Sequence, residues 1–407
     1  MASYDRRRSP PIIPLRTVAI KMTSKRTLKR VMLSEFLPPD YGAVGQYCNI
    51  FCRRDARDGL DVVLVGFTSG EARTDVEEFG PGRLTTVRLH NPAVSRQSLR
   101  ARAFWTLKAN IRLIRAALPY MRDADEVHFT GSPPFLIQFM VPLNALLGKK
   151  LVYLLTDFYP EFVMAHLKRV PLPLRLLFKF TVFLRHRVSH FEVLGFDQRD
   201  RLLEVGIPEE RISIRRDFIP VAIEADQEPL PRPSGSEGKA LLLYSGNLGA
   251  AHDVDTFVKA YVRHHKEGSG RVVLWLNAVG ENAALMRDSL EQAGVPVISS
   301  KPVPIEKLAA LLVTPDAHLI TLRDEYVGYV LPSKTYGCIE SSKPVLYIGS
   351  QKSDVHYLCS TRIKSSGDYH HAAVGDVGRV MESLEQIAEG ACPRSGASSL
   401  SVGAGSV

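Results

Sequence analysis

The chain has 407 residues, of which 45% are hydrophobic, enough for two or three domains with ordinary cores. A net charge of +9 favours anionic contacts, leaving nucleic acid, an anionic bilayer and a phosphorylated substrate open. The basic, proline-broken start, Met1 to Arg30, lacks the apolar core of a secretory signal, and no uncharged apolar run of about eighteen residues offers a spanning helix.

The stretch 1–29 is read as a basic extension. From Arg30 the pattern turns regular: VMLSEF predicts a strand, PPDYGAVG a glycine loop, Gln46 to Asp58 a helix and VVLVGF another strand. The runs EVHFT, KLVYLLTD and SHFEVLG alternate with helical stretches, the rhythm of a parallel sheet covered on both faces. Gly70 to Arg83 and His90 to Arg102 read as loops. This first domain spans 30–222, and the proline-, glycine- and serine-rich segment 223–240 is a linker. Alternation restarts with ALLLYSG and continues through RVVLWLNAVG, VPVISS and AHLITL, a second α/β domain over 241–372. The amphipathic stretch 373–392 is placed as a C-terminal helix able to return to the N-terminal domain, and 393–407 as a disordered tail. The fold class is α/β: two doubly wound, Rossmann-like parallel-sheet domains facing across a cleft.

Ligands of such sheets bind beyond the carboxyl ends of the strands, and the candidate residues fall there. Gly42, Ala43 and Gly45 lie in the first glycine loop, where backbone could approach a phosphate or simply turn into the helix. Asp157 ends an apolar strand and either hydrogen-bonds a sugar hydroxyl or caps the next helix. Asn247 and His252 flank a glycine turn in YSGNLGAAHD, as neutral donors or as helix-start residues. In LRDEYVGYVLPSKTYGCIESSKPVLYIG, Ser333, Lys334 and Thr335 open a helix, where a lysine is electrostatically unfavourable unless an anion is expected. Arg323 and Glu325, before VGYVLPSK, border a sugar pocket or form an exposed charged turn. Together these segments suggest a nucleotide-diphosphate site.

Cys48, Cys52, Cys338, Cys359 and Cys392 form no zinc-like pairs and are read as reduced core thiols of a cytosolic protein. Leu167 to Arg187 interleaves Leu, Phe and Val with basic side chains: either it lies in a membrane interface, or it is an ordinary amphipathic helix with basic residues on its wet face. No nucleic-acid-binding motif is present.

FLPPDYGAVGQY, GSPPF, LLTDFYPE, YSGNLGAAHD and VLPSKTYG with KPVLYIG, in this order from Val31 to Tyr357, resemble a family-four glycosyltransferase of the GT-B fold, in the branch that builds bacterial surface polysaccharides. The resemblance implies sugar transfer from a nucleotide-sugar to a hydroxyl with retention of configuration, without metal or other cofactor. The implied partners are a UDP- or GDP-sugar, a saccharide or polyprenyl-diphosphate-linked acceptor, and an anionic membrane surface at the cytoplasmic face. Gly42 and Ala43 match the family's glycine pair, and Asp157 the aspartate of its His-Asp dipeptide, with Thr156 in the histidine's place. The usual Arg and Lys on the diphosphate fall at Asn247 and His252, and two glutamates eight positions apart fall at Tyr329 and Gly337. The resemblance further implies catalysis by Asp157, Lys334 and His252, diphosphate binding by Ser333, Thr335 and their neighbours, and a nucleobase or sugar region around Val279, Gly280, Pro302, Val303 and Tyr336. A nucleotide-sugar epimerase and a non-catalytic nucleotide-sugar-binding protein are the competing readings.

Overall fold

The computed structural model describes residues 27–38, 40, 43–91, 99–216 and 218–391. Most of the basic extension, Gly42, Cys392, the tail and part of the His90 to Arg102 segment lie outside them.

The first domain runs β1 (Lys29–Phe36), α1 (Ala43–Arg57), β2 (Asp61–Thr68), β3 (Arg73–Glu78), β4 (Arg83–His90), α2 (Leu99–Asp123), β5 (Glu126–Thr130), α3 (Ile137–Leu147), β6 (Lys150–Leu155), α4 (Glu161–Met164), α5 (Leu172–Arg185), β7 (His190–Val193), α6 (Phe196–Glu204) and β8 (Ile212–Ile214). The sheet order is β3-β4-β2-β1-β5-β6-β7-β8. All neighbours pair in parallel except β3, which returns antiparallel along β4. Within Gly70 to Arg83, read as a loop, lies the edge strand β3. Its sequence RTDVEE is too polar to show an apolar period, and it is held by the ladder to β4. Val31 to Ser34 are buried on both faces of β1, because α2, α3 and α5 cover one side of the sheet and α1 the other.

The second domain runs β9 (Ala240–Asn247), α7 (Asp255–Glu267), β10 (Val272–Val279), α8 (Glu281–Gln292), β11 (Val297–Ser300), α9 (Leu308–Val313), β12 (Ala317–Thr321), α10 (Lys334–Glu340), β13 (Val345–Ile348), α11 (Asp354–Arg362), β14 (Tyr369–Ala372) and α12 (Val377–Ala391). Its parallel sheet has the order β11-β10-β9-β12-β13-β14. The final helix does not return to the first domain. Val380, Leu384 and Ile387 of α12 join the core formed with α7, β9 and β10, because that sheet face would otherwise be bare. The linker is strapped to the second domain: the Leu230 N–H donates to Thr314 Oγ1 (2.8 Å), and Arg232 pairs with Asp316 (3.0 Å).

Each sheet reverses its winding once, between β1 and β5 and between β9 and β12, so each has its crevice at that border. The domains meet through a shared apolar cluster that joins Leu194 and Phe162 of the first to Tyr326, Val327 and Tyr347 of the second. Polar contacts flank it. Asp354 accepts from the Phe196 N–H (2.6 Å) and pairs with Arg216 (3.2 Å), and Arg201 Nη2 donates to the Val327 carbonyl (3.0 Å).

Candidate functional site

The half of the site on the second domain forms where β9 and β12 part. Lys334 opens α10 and folds its side chain back over β9, placing Nζ 3.3 Å from the centre of the Tyr244 ring. Nζ is buried and has no hydrogen-bond partner among the described residues, so the ring face is its compensation. Burial pulls its pKa down to about 7, poising an ammonium for an anion. His252 stands edge-on to the same ring at 5.9 Å between centroids, its Nδ1 donating to the Thr321 carbonyl at the end of β12 (2.7 Å). Burial first, then the neighbouring Lys334, lower the His252 pKa to about 3. The imidazole is therefore neutral, its Nε2 an acceptor for a hydroxyl rather than a counterion for phosphate. Arg323 closes this corner, donating from Nε to the His252 carbonyl (3.3 Å).

Two further loops shape this half. Leu248 N–H donates to the Val279 carbonyl (2.7 Å), tying the turn after β9 to the end of β10. Gly280 sits at φ 112°, and a Cβ there would lie 2.6 Å from both Asn247 Oδ1 and the Leu248 carbonyl, so only glycine permits the approach. Buried Asn277 donates to Ser300 Oγ (2.8 Å) and the Lys301 carbonyl (2.6 Å), which sets the start of the Pro302 loop.

The half of the site on the first domain gathers at the ends of β1, β5 and β6. Asp157 follows β6 and does not cap α4, which begins after Pro160 without a side-chain cap. Burial, and then the charge of Glu35 on β1, raise the Asp157 pKa to about 6. The Ser132 hydroxyl after β5 donates to Glu35. Glu35 was missed by sequence reasoning, and its charge is felt at Asp157. An acid near the end of a strand carries no local signal; the β1/β5 switch point is what brings it beside Asp157. Buried Arg185 of α5 fixes the loop between them, pairing with Glu161, donating to the Tyr159 carbonyl (3.2 Å) and lying 5.1 Å from the Phe158 ring centre. The halves are joined where the Phe158 N–H donates to the Tyr329 carbonyl (3.1 Å).

The other expected residues divide. Ser333 is exposed at the mouth of α10, and Val279, Gly280 and Glu325 are exposed. The Thr335 amide, expected to face the diphosphate, instead donates to the Pro332 carbonyl (3.0 Å), as the first turn of a tight helix requires. Gly45 is buried in α1, where a Cβ would lie 1.5 Å from the Phe36 carbonyl oxygen, so its role is close helix-on-strand packing and not phosphate contact. Ala43 is the first residue of α1. Tyr336 is buried in the cluster between domains, and half-buried Val303 packs against Leu241, Trp275 and Leu311. At the positions of the family's glutamates, Tyr329 lies under the Arg201 guanidinium (4.6 Å), and Gly337 packs near Leu312. Cys48, Cys52, Cys338 and Cys359 are buried free thiols, and no group of three or more His, Cys, Asp or Glu that could hold a metal occurs among the described residues. Nor is any described helix long and apolar enough to cross a membrane.

Solved structures share this arrangement from end to end. An α,α-trehalose 6-phosphate synthase from Burkholderia multivorans superposes with TM-score 0.60 over 89% of both chains at 12% identity. HepE from Anabaena, in complex with UDP-glucose, gives TM-score 0.59 over 89% of this chain and 90% of its own at 13% identity. The fold is GT-B. The lipopolysaccharide outer core galactosyltransferase WaaB shares the GT-B fold less closely, with TM-score 0.51 at 13% identity over 90% of this chain and 91% of its own. In sequence, the chain is 22% identical over 243 residues to a Pseudomonas aeruginosa protein named "Probable glycosyltransferase WbjE". That match covers 56% of this GT-B chain and 59% of the relative's length. No family model matches the chain.

Proposed function

We propose that the protein is a retaining, metal-independent hexosyltransferase that moves a sugar from a nucleotide-sugar to a hydroxyl of a lipid-linked saccharide in bacterial surface-polysaccharide assembly, working at the cytoplasmic face of the membrane. The observation that carries this reading is Lys334, a buried ammonium with no hydrogen-bond partner, at the crevice where β9 and β12 part. The UDP-glucose complex of HepE supports a UDP-sugar ahead of a GDP-sugar, the likeness to WbjE supports glycosyl transfer, and the likeness to WaaB, a lipopolysaccharide outer core galactosyltransferase, supports a polysaccharide setting.

The chemistry follows from where charge develops. As the bond between the anomeric carbon and the diphosphate oxygen breaks, negative charge grows on the leaving group, and Lys334 stabilises it more than it stabilises the ground state. The acceptor oxygen bonds to the anomeric carbon on the same face, and its proton passes to the departing phosphate oxygen. His252 Nε2 accepts from a sugar hydroxyl. Asp157, with Glu35 behind it, orients the acceptor hydroxyl.

The test is incubation with a panel of nucleotide-sugars, with and without bacterial lipid extract, following anomeric protons and free nucleoside diphosphate by NMR. Acceptor-dependent release of diphosphate is expected. Donor bound but left intact would overturn transfer in favour of a non-catalytic binder, an outcome to which the non-acidic Tyr329 and Gly337 positions give weight, and a new nucleotide-linked anomeric signal would identify an epimerase.

A further inference from the structure

We propose that the joint outer face of α3 and α5 seats the protein on an anionic lipid bilayer. An ordinary surface helix hides its apolar side and shows its charges, but α5 shows an apolar stripe on its outer side. Its inner side buries Thr181, Leu184 and Arg185. Its outer side shows Leu172 (68% exposed), Leu176 (57%), Phe180 (45%) and Phe183 (51%), one per turn along its whole length. Exposed Arg175, Lys179 and Arg187 flank this stripe, and the Arg187 guanidinium lies 3.5 Å from the centre of the Phe183 ring. The neighbouring helix extends the patch. Gln138 of α3 donates to Thr181 of α5 (2.8 Å), α3 carries no charged residue, and its far end shows Leu146 (85% exposed).

Charge selects the occupant. Between Gly131 and His190 the only acids are Asp157 and Glu161, the first in the site and the second buried against Arg185, so no carboxylate faces outward from this patch. A second copy docking through the same face would set Arg175, Lys179 and Arg187 against their own equivalents. Acyl chains accept the Leu and Phe stripe while lipid phosphates take the cations beside it, the pattern of a helix lying in the plane of an interface. The inference deepens the lipid-linked reading above by giving it a surface, and it stands or falls separately, because bilayer binding needs neither donor nor turnover.

The full-length protein would be co-sedimented with phosphatidylcholine vesicles with and without about 30% phosphatidylglycerol, at low and high salt; the expected result is binding to anionic vesicles at least about tenfold tighter than to neutral ones and weakened by salt. Leu176→Ser/Phe180→Ser and Arg175→Glu/Lys179→Glu should each weaken it by about tenfold or more, with melting temperature and nucleotide binding unchanged. Equal binding to both vesicle types, or unaltered binding by both folded variants, would overturn the proposal. So would a concentration-dependent dimer abolished by the same substitutions, which would make the face a contact between copies. The vesicle-composition and salt comparison on the unaltered protein decides the matter even if a variant misfolds.

Discussion

Lys334 rests on the face of Tyr244 with its three donors unused, and its pKa near 7 makes binding at this point a proton-linked event. The folded value lies below the unfolded 10.5, so the stability cost of burying the charge is full below about pH 7 and shrinks as pH rises toward 10.5. A diphosphate restores the charge, so above pH 7 binding should take up a proton and the donor Kd should weaken with rising pH. Calorimetry at pH 8 in buffers of different ionisation enthalpy checks this, and Lys334→Ala should abolish the uptake and cut turnover by more than about tenfold while the protein stays folded. Asp157 has the opposite sign. Its folded pKa of about 6 exceeds the ordinary 3.8, so the cost of burying the carboxyl grows as pH rises from about 3.8 and is full above about 6. Asp157→Asn is expected to gain on the order of 1 kcal/mol of stability at pH 7 in urea unfolding while losing most transfer activity. A melt without gain would mean that the carboxylate is satisfied where it stands.

At the scale of the element, the turn after β9 and the end of β10 are one unit because Gly280 lets them touch. Gly280→Ala should cost about 1–3 kcal/mol and weaken UDP binding by roughly tenfold, read by thermal melting and calorimetry. The strands that border both crevices were legible in the sequence because parallel strands covered on two faces are nearly continuous apolar runs, as in ALLLY and VVLWL. The edge strand β3 was not, since its stability comes from its partner and not from its own residues. Lys334 and His252 were legible as residues at strand-to-helix turns. Their protonation states were not, since these follow from burial beside Tyr244, and Tyr244 reads in sequence as one more apolar strand position. The basic stretch of α5 posed two alternatives that composition could not separate; the exposure of Phe180 and Phe183 on the folded domain is the observation on which the proposed bilayer contact rests.

At the scale of the whole molecule, two sheets with separate cores are held by a small interface whose polar centre is Asp354, buried, accepting from the Phe196 N–H and from Arg216. Asp354→Ala leaves Arg216 without its carboxylate, keeping only the Leu194 carbonyl as acceptor, and should cost about 3 kcal/mol at the interface, not in either core. The expected outcome is a larger radius of gyration in X-ray scattering and a raised donor KM, with circular dichroism unchanged. Unchanged scattering would show the apolar cluster around Tyr326 to be sufficient by itself.

The hydrogen bond from Phe158 to Tyr329 carries a kinetic meaning. Phe158 is the residue after Asp157, and Tyr329 lies on the segment that leads into Lys334, so in the proposed transferase the peptide that would steer the acceptor is pinned to the strap that would hold the donor. If the domains part to exchange substrates, this bond must break, and Asp157 and Lys334 lose their common tie together. In the proposed transferase, a nucleotide-sugar waiting in an open cleft would then meet water without the aligned carboxylate, so the peptide that arms transfer would also suppress idle hydrolysis.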